Sequence, residues 1–278
     1  MTTKTLFITG ISTGFGKALA EEALTAGYNV VGTVRNQQAK DEFDKRLPGR
    51  SHAVILDVTD LDRIPAVVAQ VETEIAPIDA LVNNAGYSIE APVEESPMVE
   101  IRRQFEVNFF GAIAVAQAVL PYMRKRRNGR ILNITSMGGL VTFPGVGIYN
   151  ASKFALEGAS EALGKEVAQF GIFVTAVEPG MFRTDWAGRS MRRLPRTISD
   201  YDASFAPQRE ARAQRSGKQQ GDPRKAAKAM LQILEVSQPP AHLLLGPDAV
   251  KYVSDNLTAH QKEIADWRHI SDSTDLDE

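Results

Sequence analysis

The stretch Thr5-Leu6-Phe7-Ile8-Thr9-Gly10-Ile11-Ser12-Thr13-Gly14-Phe15-Gly16-Lys17-Ala18-Leu19-Ala20-Glu21 decides the fold. Its first five residues are apolar or β-branched and read as a strand, and from Phe15 the pattern turns helical. Between them lies a turn with glycines at 10, 14 and 16, spaced G-x-x-x-G-x-G rather than G-x-G-x-x-G. Such glycines permit positive φ, close approach of backbone N–H groups to a pyrophosphate, and tight packing of helix on strand. Placed between a first strand and a first helix, the turn reads as a dinucleotide-binding element, although glycine turns also serve as plain connections.

The same alternation continues downstream. Strands are expected at Thr5–Thr9, Asn29–Val34, Ala53–Asp57, Ala80–Asn83, Arg130–Thr135, Phe173–Glu178 and His242–Leu245. Helices are expected at Phe15–Thr25, Gln37–Arg46, Leu61–Ile75, Met98–Arg126, Tyr149–Gln169 and Pro223–Val236. Largely apolar strands such as Ile131-Leu132-Asn133-Ile134 imply a sheet covered on both faces. With right-handed crossovers this predicts an α/β Rossmann fold, a doubly wound parallel sheet of about seven strands with helices on both faces. The division expected is one catalytic domain over residues 1–250, with a lid at 181–222, and a polar tail at 251–278. From Arg183 to Lys225 the periodicity fades and eleven Lys or Arg stand against five Asp or Glu, the pattern of a lid or binding loop.

Composition excludes several classes. The chain has 278 residues, 43% hydrophobic and 24% charged, within the range of globular domains. A net charge of −2 gives no global attraction to nucleic acid or anionic membrane. The absence of cysteine removes disulfides, thiolate metal sites and cysteine nucleophiles, and fits the cytoplasm. No run of roughly 18 apolar residues occurs, and Met1-Thr2-Thr3-Lys4 leads straight into a strand, so neither signal peptide nor membrane span is expected. His52, His242, His260 and His269 lack ligand spacing, and no metal site is expected.

Six residues carry the chemistry. The second strand ends Val34-Arg35-Asn36; an acidic residue there would bind ribose hydroxyls, whereas an arginine accommodates a 2′-phosphate. With the Ser12 hydroxyl nearby, the site reads as preferring NADP(H) over NAD(H), the alternative being a solvated surface arginine. Tyr149 and Lys153 lie four residues apart on one helix face, where the ammonium would favour the phenolate. Ser136 closes a strand at the sheet's carboxyl edge and would add a second contact to a substrate oxygen. Asn108 sits within a helix it disfavours, a local conflict that a functional role would explain.

Assembled, these residues resemble the short-chain dehydrogenase/reductase superfamily, in its single-domain branch. The resemblance runs from Lys4 to about Asp248. It rests on Thr9-Gly10-x-x-x-Gly14-x-Gly16, Asp57-Val58, Asn83-Asn84-Ala85-Gly86, Asn108, Ser136, Tyr149-x-x-x-Lys153 and Pro179-Gly180-x-x-x-Thr184, in family order. It implies Tyr149 as general acid/base, with Lys153 binding the nicotinamide ribose and lowering the tyrosine pKa. Ser136 would hold the substrate oxygen, and Asn108 would anchor a water in a proton relay. Gly10, Ser12, Thr13, Gly14, Phe15, Gly16 and Arg35 would bind the cofactor, with Asp57 and Val58 at its adenine. Asn84, Ala85 and Gly86 would shape the cleft, and Pro179, Gly180, Phe182 and Thr184 would cover the pyrophosphate and carboxamide.

The substrate end is expected to hold Tyr87, Ile89, Met137, Leu140, Val141, Phe143, Val146, Phe182 and Trp186, a mostly apolar chamber suited to a small-molecule ketone or alcohol, bulky and lipophilic. Members acting on steroids and retinoids are the nearest in pattern. Arg189, Arg192, Arg193 and Arg196 are read either as a grip on a substrate anion or as a solvated, flexible face. Small residues at Ala151, Ala155, Gly158, Ala159 and Ala162 would allow close packing against the sheet or a sister subunit; a homodimer or homotetramer is what the family resemblance implies. Two readings stand beside the enzyme: a catalytically silent NADP sensor, and a nucleotide-sugar epimerase, for which too little chain follows Gly180.

Overall fold

The computed structural model describes residues 3–276; residues 1–2 and residues 277–278 of the expected polar tail lie outside the described residues. The described residues form nine strands: β1 (Thr5–Ile8), β2 (Asn29–Val34), β3 (Ser51–Ile55), β4 (Ala80–Asn83), β5 (Ser88–Glu90), β6 (Gly129–Ile134), β7 (Ile172–Pro179), β8 (Met191–Arg193) and β9 (His242–Leu245). Seven of them make one parallel sheet in the order β3-β2-β1-β4-β6-β7-β9. The helices are α1 (Gly14–Thr25), α2 (Gln37–Asp44), α3 (Ile64–Gln70), α4 (Met98–Phe105), α5 (Gly111–Arg126), α6 (Gly147–Val167), α7 (Asp202–Arg215), α8 (Pro223–Glu235) and α9 (Pro247–Ser271).

Successive strand side chains point to opposite faces, and the core divides accordingly. Leu6 and Ile8 of β1, with Val30, Val82 and Leu132, join the apolar layer under α1 and α8. Phe7, Val31, Leu81 and Ile131 join the layer under α3 and α5. Each layer is buried and apolar, so both faces of the sheet are covered, as the apolar strands require. β1 pairs with β2 on one side and β4 on the other, which opens a crevice at their carboxyl ends, where ligands of such sheets bind.

Three features differ from the sequence expectation. The run Met98–Arg126 is continuous but not uniform, because Glu106–Phe110 winds as a π-turn between α4 and α5 and contains Asn108. This 29-residue helix is long and apolar enough to cross a bilayer by length and composition, although charged residues interrupt its apolar runs. Here Val115, Ala116, Val119 and Met123 pack its inner face into the core, the behaviour of a sheet-covering helix.

The segment read as an aperiodic, flexible lid is instead ordered, with β8 paired to β5 and α7 folded behind it. Pairings of three residues carry too little periodicity to read, and Pro207 inside α7 disguises the helix. The polar tail expected from residue 251 is largely helical, because α9 starts at Pro247 and runs across that boundary to Ser271. Its first turns bury Ala249 and Val253 against Met137, Leu140, Phe143 and Met181 beside the crevice.

Candidate active site

A cleft of 920 Å³ runs along the carboxyl ends of the strands. At its start Gly10 (φ +72°) and Gly14 (φ +58°) adopt the left-handed conformation that only glycine takes without strain. Gly16 is different: a Cβ there would lie 2.3 Å from the Gly10 carbonyl oxygen, so this glycine lets α1 pack on the turn and does not line the cleft. Thr13 caps α1 without a side-chain hydrogen bond, and Ser12, Thr13, Gly14 and Phe15 line the cleft there. The amino end of α1 thus meets the cleft without an acidic or capping side chain, which suits a phosphate.

Asn84 holds the turn closed, its Nδ2 donating to the carbonyls of Thr9 and Gly10, each at 2.9 Å. Thr9 Oγ1 accepts from the N–H groups of Asn84 and Ala85. Asp57 accepts from the backbone N–H and hydroxyl of Thr59, and its side of the cleft is completed by Val58 and Leu56. Arg35 is exposed and lines the same arm with Thr33 and Val34, with no carboxylate at the end of β2. Ala85, Gly86, Pro179, Gly180, Phe182 and Thr184 line the middle of the cleft. All the predicted cofactor residues except Gly16 therefore face one continuous groove, open at the glycine turn and basic at the β2 edge; these residues fit a phosphorylated dinucleotide.

The other arm centres on Tyr149 and Lys153, adjacent turns of α6, both buried. Lys153 Nζ lies 5.9 Å from the Tyr149 ring centre and donates to the Ile134 carbonyl at 2.7 Å. Ser136 Oγ accepts from Gly138 N–H at 2.9 Å and acts on the phenol, and the Trp186 ring lies 5.3 Å from the Tyr149 ring. Burial pushes the Tyr149 phenol up to about 12, against the smaller opposing effects of Ser136 and Trp186. Desolvation likewise dominates at Lys153 and brings its ammonium down to about 8, despite the Glu157 carboxylate.

Asn108 stands behind this pair rather than in the cleft. Its Oδ1 accepts from Tyr87 N–H at 3.0 Å, and its Nδ2 donates to Tyr87 O and Ser152 Oγ. A Cβ on Gly86 would lie 3.3 Å from Asn108 Oδ1 and 3.6 Å from Lys153 Nζ, so the three converge. The π-turn resolves the conflict noted in the sequence, since a local widening of the helix presents the amide to buried partners.

Of the predicted substrate-side residues, Tyr87, Met137, Phe143, Val146, Phe182 and Trp186 line the cleft. Ile89, Leu140 and Val141 do not; they pack in neighbouring apolar clusters. Neither reading of the four arginines holds for all. Arg193 pairs with buried Glu90 at 3.1 Å and Arg196 with Glu95 at 2.7 Å, while Arg189 meets Asp185 and Arg192 meets Glu100. Arg209 and Arg212 also converge on Glu90, and Arg212 caps the Pro144 carbonyl.

Two clusters escaped sequence reading. Asn83 Nδ2 donates to Asn133 Oδ1, and Asn133 Nδ2 to Ser160 Oγ, a buried polar ladder joining β4, β6 and α6. His242, read as lacking companions, accompanies Glu157 and Glu178, with ligand atoms within 4.8 Å of one another. His242 Nδ1 lies 2.7 Å from Glu178, and burial pushes both carboxyls up, Glu157 to about 7. Both clusters join residues distant in sequence, and only the α6 spacing Lys153, Glu157, Ser160 hinted at them.

The doubly wound sheet, its glycine turn and the groove between them define an NAD(P)-dependent dehydrogenase or reductase of single-domain form. The short chain dehydrogenase family pattern matches residues 4–194. The chain is 38% identical to the oxidoreductase BOA17 of Botryotinia fuckeliana over 270 residues, 97% of this chain and 98% of that protein. The solved structure of a short-chain dehydrogenase from Streptomyces avermitilis superposes with a TM-score of 0.92, at 40% identity and 99% coverage of both chains. ElxO, solved with NADP bound, is similar at 25% identity and a TM-score of 0.74, covering 87% of this chain and 96% of its own. The chain belongs to the short-chain dehydrogenase family.

Proposed function

We propose that the protein is an NADP(H)-dependent oxidoreductase interconverting a bulky, lipophilic ketone and its secondary alcohol, with Tyr149 as general acid/base. The observation that carries it is a buried phenol at the end of an apolar chamber, with Ser136 beside it and the Lys153 ammonium one turn away. When bound, the nicotinamide supplies the reducing equivalent to the carbonyl carbon. Ser136 and Tyr149 orient the carbonyl oxygen, and Tyr149 donates the proton to it. Lys153 holds the nicotinamide ribose and keeps a positive charge beside the phenol while its proton leaves. Asn108 fixes the Tyr87 backbone and the start of α6, which positions Tyr149.

Arg35, on the cofactor arm with no acidic neighbour at the end of β2, supports NADP(H) over NAD(H), and the NADP-bound relative is in keeping with this. We extend the proposal to a cytoplasmic homodimer or homotetramer joined through α6, where Ala151, Phe154, Gly158 and Ala162 are exposed. The test is titration with NADPH and NADH, followed by nicotinamide fluorescence, for the native protein and Arg35→Asp. Selective NADPH binding that shifts about ten-fold or more toward NADH in the variant is expected for loss of a charge-assisted phosphate contact. Unchanged preference would make Arg35 a surface residue only.

A further inference from the structure

Helix α9 outruns the body it packs on. Its first turns bury Ala249 and Val253, and Asn256 Nδ2 donates to the Leu140 carbonyl at 2.9 Å. From Leu257 to Ser271 every residue is exposed, and the side-chain hydrogen bonds there run back along the helix itself. A helix of about 12–15 residues with nothing packed against it is marginal in water, so this arm needs a cover.

The sequence of the arm describes that cover. Val253, Leu257, His260, Ile264 and Trp267 recur at intervals of four, three, four and three, the seam by which one helix packs along another. Leu257, Ile264, Trp267 and the flanking Ile270 are 54%, 70%, 65% and 52% exposed. Away from the seam run the pairs Lys251–Asp255, Lys262–Asp266 and Arg268–Asp272. These pairs cancel, and the remaining charge on the arm, Glu263, is negative, so the polar side has no attraction for an anionic lipid surface or for nucleic acid.

A second copy of the chain offers a matching seam. Covering the four exposed apolar side chains and their flanks on both copies removes roughly 1,000 Å² from water, the lower bound of a specific interface. The direction of pairing follows from the body. The seam continues the face that seats Ala249 and Val253, so a parallel partner would drive its first turns into that body. An antiparallel partner enters from the free end and keeps its own body at the far end. A two-fold axis beside Lys262 then sets Leu257 against the partner's Trp267 and His260 against the partner's Ile264.

We propose that the α9 arm is a self-association surface, pairing antiparallel with α9 of a second copy. The pairing uses none of the α6 residues considered above and does not depend on the oxidoreductase reading. Two-fold pairings through α6 and α9 together close a tetramer, whereas α9 alone makes a dimer.

The test compares the mass in solution, by light scattering, of the native chain and of Ile264→Asp/Trp267→Asp, two changes at exposed positions that leave the core intact. Loss of two apolar anchors per copy should raise the dissociation constant of this pairing by about 100-fold or more. The mass should halve at micromolar concentration, from tetramer to dimer, or from dimer to monomer if α6 does not pair. Equal masses overturn the proposal. Amide hydrogen exchange over residues 258–270 should be protected in the native protein and fast in the variant; fast exchange in both overturns it as well. Phe154→Asp, on α6, should leave that protection in place, which separates the two pairings. The direction is read from Leu257→Cys/Trp267→Cys, in a chain that otherwise has no cysteine. Oxidation should link position 257 of one copy to 267 of the other, and links joining 257 to 257 overturn the antiparallel arrangement.

Discussion

At the residue scale, the site is governed by desolvation. Tyr149 and Lys153 are both buried, and each is pushed toward its neutral form, the phenol to about 12 and the ammonium down to about 8. The phenol therefore keeps its proton throughout the neutral range, which suits it to donate during carbonyl reduction. Tyr149→Phe should fold and bind NADPH yet lose ketone reduction by at least about 100-fold, the usual worth of a general acid; retained turnover in steady-state assays would remove Tyr149 from the mechanism. Lys153 is charged below about pH 8 and neutral above it, so the reduction rate should be level at lower pH and fall as pH rises through that value. Because Tyr149 titrates far higher, this limb belongs to Lys153. A pH–rate profile that stays flat to pH 10 would contradict the assignment.

At the element scale, the segment between β7 and α8 shows how a charged stretch becomes ordered. Glu90 of β5 is fully buried and meets Arg193 of β8 and Arg209 and Arg212 of α7. Glu95 accepts from Arg196 and from the N–H groups of Thr197 and Ile198. Two buried carboxylates thus clamp a basic segment over the substrate arm. Glu90→Gln removes the charge shared by three guanidiniums, and breaking buried pairs costs roughly 3–5 kcal/mol, less here because the arginines are partly exposed. We expect about 2 kcal/mol of lost stability and faster limited proteolysis between residues 190 and 215. Cleavage there at the native rate would show that the clamp does not order the segment.

At the scale of the whole molecule, the Glu157–Glu178–His242 cluster ties α6, β7 and β9 together. Burial raises Glu157 from the ordinary 4.5 to about 7, so the folded protein holds a proton that the unfolded chain releases across that window. Stability is therefore greatest in the acid part of the window and declines as pH rises through about 7. Glu157→Gln should flatten that slope by about one proton, measured as denaturant midpoints at pH 5 and 7.5; an unaltered slope would place the proton elsewhere. Much of this protein was legible in the chain itself. Local spacing determined the seven core strands, the glycine turn and the Tyr149/Lys153 face, because those depend on periods of two and 3.6 residues within one element. Arg35 at the end of β2 was legible for the same reason. What required the tertiary structure were properties set by long-range neighbours. The role of Gly16 comes from the Gly10 carbonyl beside it, the order of the lid from Glu90 and Glu95 about a hundred residues earlier, and the titration of Tyr149 and Lys153 from burial. Burial and pairing across the chain are sums over contacts that no single stretch of sequence contains, and they decided which charges are clamps and which, like Arg35, face the cleft.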